Sequence, residues 1–200
     1  MDKRRTSGTA LLHRGRRGRA GADTSTASIG HRVWRLGSDV DTDALAPGAW
    51  MKYPVEVIAQ HCLESTRPQF ALEVRRGDVI VAGPNFGIGS SREQAAAALV
   101  HLGIAAVIAP SFGGLFFRNA FNVGLMLLTC RDADAIADGE RIDFDARSGW
   151  VRCRIDAAGR ELAVHAPALA CEQIPDFLLD MVEAGGLLPQ LKGRLRTTPS

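Results

Sequence analysis

Gly83-Pro84-Asn85-Phe86-Gly87-Ile88-Gly89-Ser90-Ser91-Arg92-Glu93-Gln94 follows directly on the apolar run Val79-Ile80-Val81-Ala82. The residue types read in order as strand, glycine-rich loop and helix N-terminus. Glycine lets a backbone turn tightly and approach a ligand closely, which makes Gly87 and Gly89 candidates for an anion-binding loop. Ser90 and Glu93 have capping-box spacing, as do Ser91 and Gln94. A first helical turn offers free N–H donors and the positive end of the helix dipole. Arg92 adds a charged fork that matches a carboxylate in bidentate fashion. Two hydroxyls, a guanidinium and a helix N-terminus converging on one point read as a carboxylate site; a loop that merely starts a helix is the plainer alternative. A phosphate-binding P-loop requires Lys before Ser or Thr after the last glycine, and Ser90-Ser91 follows Gly89 instead. A nucleophile elbow fails too, because Glu93 stands where its second glycine should be.

Upstream of this loop, His31-Arg32-Val33-Trp34-Arg35-Leu36 reads as a short strand, and Ser38-Asp39-Val40-Asp41-Thr42-Asp43 as a polar loop. The carboxylates do not make an EF-hand, which needs a glycine and a terminal glutamate at fixed offsets. Asp43 suits either a charge-assisted bond that orients Arg92 or a cap on the turn before Pro47. Val55, Ile58, Ala59, Cys62 and Leu63 have helical spacing, with Pro54 at the first turn. Downstream, Ala95–Val100 predicts a compact helix ended by Gly103, and Ile104–Ala109 a fully buried strand, hence a parallel sheet. Ser111 is expected to start the next helix, with Phe116, Phe117 and Phe121 as core residues. In the C-terminal third, residues 141–144, 151–155 and 161–164 alternate as half-buried antiparallel strands do, with turns at Ser148-Gly149 and Ala158-Gly159. Ile174, Phe177, Leu178, Met181 and Val182 mark an amphipathic helix stopped by Gly185-Gly186. Residues 189–200 are expected to fray.

Two hundred residues, 46% hydrophobic and 23% charged, suit one globular domain with a sizeable core. No apolar run approaches the roughly eighteen residues that a membrane span requires, and the expected location is cytoplasmic. Cys62, Cys130, Cys153 and Cys171 are widely spaced, which is neither a disulfide framework nor a self-contained metal or iron–sulfur site. Charge is asymmetric. Residues 1–32 carry eight Lys or Arg against two Asp, a balance of +6, whereas the remainder carries sixteen basic and twenty acidic residues, a balance of −4. Residues 1–31 therefore read as a disordered basic arm rich in Gly, Ser and Thr. No aromatic residue that would stack on bases precedes Trp34, so nucleic acid is an unfavoured partner. A transit peptide is opposed by Asp2 and by the scattered glycines, and a secretory signal by the short apolar stretch Ala10-Leu11-Leu12.

The signature loop resembles that of the small subunit of 3-isopropylmalate dehydratase and of the related swivelling domains of aconitase and homoaconitase. Asp41-Thr42-Asp43-Ala44-Leu45-Ala46-Pro47-Gly48, Gly77–Gly83, and Ser111-Phe112 with Phe116–Leu125 are similar to three further family segments in the same order. The resemblance covers roughly residues 32 to 130. It implies an α/β fold, a three-layer β/β/α swivelling domain over residues 32–188. It also implies a hydro-lyase that dehydrates a small hydroxy di- or tricarboxylic acid and rehydrates the alkene in the opposite sense. Ser90 would be the catalytic base, with Ser91, Arg92, Asp43 and Lys52 meeting substrate. This chain would bind no metal or cofactor itself, because the [4Fe–4S] cluster and its cysteine ligands belong to a separate large subunit. Ile88 stands where many relatives have cysteine, and Gly113-Gly114 where many have Ala-Arg. Trp50-Met51-Lys52-Tyr53 takes the place of the loop that reaches the variable part of the substrate; a surface lysine beside a buried tryptophan is its plainer reading. The favoured substrate is isopropylmalate, of leucine biosynthesis. Homoaconitate or a methylated malate is the alternative, encouraged by Lys52 and by the missing Ala-Arg. A non-catalytic carboxylate- or RNA-binding module is the alternative of another class.

Overall fold

A computed structural model describes residues 30–163 and 166–197; the basic arm lies outside these residues except for its last two. Four short parallel strands form the centre: β1 (His31–Arg35), β2 (Val79–Val81), β3 (Ala106–Ala109) and β4 (Met126–Thr129). Three antiparallel strands continue the same sheet: β5 (Arg141–Asp145), β6 (Trp150–Ile155) and β7 (Leu169–Ala170). The order is β4-β3-β2-β1-β5-β6-β7. β1 is the hinge of this arrangement, parallel to β2 through Val33↔Val79 and antiparallel to β5 through His31↔Ile142.

Side chains alternate along the parallel strands and so feed two cores. Trp34, Ile80, Val107 and Leu127 face one core, shared with the helices α2 (Val55–Gln60), α4 (Glu93–Leu102) and α5 (Gly114–Asn122). Val33, Val79, Val81, Ala106, Ile108 and Leu128 face the other, closed by Ile142, Val151 and Leu169 of the antiparallel strands. The sheet thus curls back over its own parallel half, and the three layers run β/β/α, the expected fold. The two β layers are one continuous sheet joined through β1 and β5.

β2 and β3 are buried throughout, as a parallel strand covered on both faces must be. α4 packs Ala95, Ala96, Ala98 and Leu99 inward and ends at Gly103 in the left-handed region. Three local expectations differ. The strand predicted at 161–164 is reduced to a bridge between Ile155 and Glu161, and β7 pairs with Trp150 and Val151 in its stead. α5 begins at Gly114, whereas Ser111 bonds to Asn85. The tail is the third difference. Helix α6 (Asp176–Glu183) stops before Gly185-Gly186 as predicted, but Leu187–Thr197 form a further helix, α7, where fraying was expected. Pro189 falls in its first turn, where no intrahelical N–H is needed, so it does not break the helix.

Candidate active site

The signature loop leaves the carboxyl end of β2 and is gripped on both sides. Along one flank runs the segment after β1: Gly83 N–H donates to the Gly37 carbonyl at 3.0 Å, Gly87 N–H to Val40 at 2.7 Å, and Thr42 N–H in return to Ile88 at 2.8 Å. Along the other runs the segment after β3: Phe86 N–H donates to the Ser111 carbonyl at 3.1 Å, and Gly113 N–H to Phe86 at 2.8 Å. The loop therefore extends the parallel sheet beyond its carboxyl ends, the usual place for ligands in sheets of this kind. Phe86 anchors it from beneath, buried against Phe116 at 5.3 Å between ring centroids. Two glycines make the close fit possible. Gly87 has φ +77° and would place a Cβ 2.2 Å from the Phe116 ring; a Cβ on Gly113 would lie 2.4 Å from the Gly87 carbonyl oxygen. Gly114, by contrast, faces open space.

The Asp41-Thr42-Asp43 segment docks on the loop residue by residue. Asp41 accepts from Ala44 N–H at 2.7 Å and caps α1 (Thr42–Leu45). The Thr42 hydroxyl donates to the Ser90 carbonyl at 3.0 Å. Asp43 accepts from Arg92 Nη1 and also from Gly48 N–H at 3.0 Å. Arg92 Nη1 donates as well to the Ala46 carbonyl at 2.9 Å. The Arg92 bond, then the Gly48 bond, holds the Asp43 carboxyl below the usual carboxylate range. Asp43 thus orients Arg92, as one of its two sequence readings had it, and Arg92 keeps its Nε and Nη2 unengaged by the described residues.

Ser90 and Ser91 are exposed, and their hydroxyls make no hydrogen bond among the described residues. Neither caps α4. The N-cap position is Arg92, with no side-chain cap, so the predicted capping boxes do not form. The reason is tertiary: the Ser90 carbonyl is held by Thr42 and by Arg92 N–H at 2.8 Å, which keeps Ser90 in the loop. Gly89, at φ +99°, lies over Thr42. The result is an open, polar surface patch. A cavity of about 560 Å³ nearby is lined by Asp43, by Arg35–Val40 and by Glu64–Arg67, and does not include the two serines.

Lys52 is exposed, its Nζ 5.2 Å above the Tyr53 ring. Trp50 is half-buried and stacks on His61 at 3.6 Å. Gly48, which begins this turn, would bring a Cβ within 3.9 Å of Arg92 Nη2. Lys52 thus follows closely on a residue beside Arg92 without being tied to the site.

A second polar knot went unread in the sequence. Asn85 Nδ2 donates to Asp39 Oδ1 at 2.8 Å, and Asn85 N–H donates to the Ser111 hydroxyl at 2.9 Å, linking all three loops. Asp39 and Asn85 both have positive φ, 56° and 62°. Asp and Asn tolerate that region better than other side chains, which was the available signal.

Among the described residues no group of side chains fits an iron–sulfur cluster. All four cysteines are free, Cys62 and Cys130 are buried, and no group of three His, Cys, Asp or Glu side chains is arranged to hold a metal among the described residues. Nor is any described helix long and apolar enough to cross a membrane.

Comparison with known proteins agrees with this geometry. The profile of the aconitase C-terminal domain matches residues 59–133. The chain is 45% identical over 159 residues to the methanogen homoaconitase small subunit of Methanothermobacter thermautotrophicus, covering 78% of this chain and 86% of that protein. It is 44% identical to a 3-isopropylmalate dehydratase small subunit of Methanopyrus kandleri, covering 80% and 91%. The crystal structure of 3-isopropylmalate dehydratase from Methanocaldococcus jannaschii superposes with a TM-score of 0.72 at 39% identity, covering 83% of this chain and 94% of that one. With its signature loop, its layers and these relatives taken together, the chain belongs to the family of aconitase-type small subunits that includes those of 3-isopropylmalate dehydratase and homoaconitase.

Proposed function

We propose that this chain is the small subunit of a hydro-lyase that interconverts 2-isopropylmalate and 3-isopropylmalate by dehydration and rehydration. One observation carries the reading: two unengaged serine hydroxyls stand beside an arginine whose direction is fixed by Asp43 and the Ala46 carbonyl, at the carboxyl ends of parallel strands. The free Nε and Nη2 of Arg92 suit a bidentate contact to a substrate carboxylate, with Ser91 as a further donor. Ser90 takes the proton from the carbon next to that carboxylate, and the C–H electron pair becomes the second bond of the alkene as hydroxide leaves. A serine acts as base only where its oxyanion is stabilised, and Arg92 with the neighbouring N–H groups supplies that.

The departing hydroxide needs an electrophile, and the described residues hold no group of metal ligands that would supply one. That half of the chemistry falls to a large subunit, to which the family resemblance assigns the [4Fe–4S] cluster. An open patch in place of an enclosed pocket is what one half of a shared site looks like.

Homoaconitate is the second reading, favoured by the 45% identity to a homoaconitase small subunit and by a lysine, Lys52, in the turn beyond Gly48. Both are tested by purifying the chain alone and with a cluster-loaded large subunit, then following alkene formation from each acid. Turnover should need both subunits and prefer isopropylmalate. Turnover by the pure chain would overturn the subunit assignment, and a preference for homoaconitate would replace the substrate.

A further inference from the structure

The opposite end of the parallel sheet carries an unexplained concentration of charge. Two adjoining cavities of about 360 and 410 Å³ open where β1 and β2 begin, and both are lined by Arg32, Arg76, Asp78 and Arg141. Arg75 borders the second and Asp143 the first. Arg32 and Arg141 are direct cross-strand partners of β1 and β5, a placement that destabilises a strand pair when the charges are alike.

The acidic residues close by are already committed. Asp78 is buried and accepts from Trp34 Nε1 at 2.8 Å and from Arg75 N–H at 3.0 Å, which fixes the turn carrying Arg75 and Arg76. Asp143 accepts from Arg154 at 2.6 Å. Arg32 lies 4.3 Å above the Trp34 ring and pairs loosely with Glu73, at 3.9 Å. Among the described residues Arg75, Arg76 and Arg141 enter no ion pair, and Arg141 donates to the Gly30 carbonyl at 3.2 Å. Four arginines thus share the hollow with two carboxylates, Asp78 and Asp143, the latter already paired with Arg154, and this excess of positive charge suits an anion from outside.

We propose that this hollow is a second anion site, for a small multivalent oxyanion of the diphosphate or polycarboxylate kind. Guanidinium forks match both chemistries in bidentate fashion. Because the site lies where β1 and β2 begin and the signature loop leaves where β2 ends, its occupant does not meet the reacting atoms.

The test is calorimetric titration of the full-length chain with pyrophosphate and, separately, with citrate at a fixed ionic strength of about 0.15 M. All samples carry Arg92→Gln, so that the signature loop contributes nothing. One saturable site per chain is expected for at least one of the two anions, and which one binds identifies the source. The R75Q/R76Q pair should weaken it by about tenfold or more, the loss expected for charge-assisted bonds, with an unchanged melting curve because both residues lie in an exposed turn. R141Q should do the same; if that variant does not fold, R75Q/R76Q decides. Deleting residues 1–29 should leave the affinity within about threefold, since the four arginines that line the hollow remain. No saturable binding of either anion, equal affinity in R75Q/R76Q, or loss of binding with the arm would each overturn the proposal.

Discussion

In the proposed reaction Ser90, Arg92 and Asp43 divide one task, and their surroundings predict how each should fail. Ser90→Ala removes a hydroxyl that bonds to nothing among the described residues and does not cap α4. The reconstituted enzyme should lose turnover by at least the roughly hundredfold that general-base catalysis contributes, with an unchanged melting temperature. Turnover near normal in that variant would remove Ser90 from the chemistry. Asp43→Asn keeps the shape but weakens the hold on Arg92, so KM should rise by about threefold to tenfold. The pH dependence has a definite sign. Asp43 titrates below its ordinary range in the folded chain because Arg92 favours the carboxylate, so the pair is fully present above the ordinary carboxylate pKa. It is lost only as pH falls through the lowered value. Wild-type KM should therefore stay level as pH drops from neutrality toward the usual aspartate range, while the Asn variant is raised at every pH. A wild-type KM that climbs already near pH 6 would contradict this pairing.

At the scale of elements, the fit between the signature loop and the start of α5 is the tightest joint near the site. Gly113→Ala must push the Gly87 carbonyl aside, at a cost of about 1–3 kcal/mol for overpacking, and should lower both melting temperature and activity. Gly114→Arg points into open space and replaces a helical glycine, so its melting temperature should hold or rise slightly. Equal melting temperatures for Gly113→Ala and the wild type would show that the loop yields freely. Much of this level was legible in the residues. The unbroken apolar runs at 79–82 and 104–109 announced buried parallel strands, Gly103 announced a helix end, and glycines before Ser90 announced the loop. What escaped depends on partners remote in the chain. The capping reading of Ser90 was reasonable locally, but a threonine 48 residues earlier claims its carbonyl. The joining of the two β layers rests on His31 meeting Ile142, a pairing that no local pattern encodes. Fraying was expected from residue 189 onward because the two glycines before α7 mark an end, and nothing local shows that a further helix starts after them.

For the whole molecule, the described fold is closed without the basic arm: its core draws on residues from Val33 onward. Removing residues 1–29 should leave the melting temperature and the reconstituted activity nearly unchanged, and a loss of assembly with the large subunit would show that the arm docks there. The position of β1 has a further consequence, for how the chain is made. The first of the described strands sits inside the sheet, one edge covered by β2 and the other by β5. Pairing at such sequence separation is slow, because the intervening chain must be ordered before the contact rewards it. On a ribosome, β1 would wait with an open edge until residues near 141 emerged, exposed meanwhile to strands of other chains. An early strand of the described fold is thus among the last to be enclosed, and its second edge stays open until β5 has been translated.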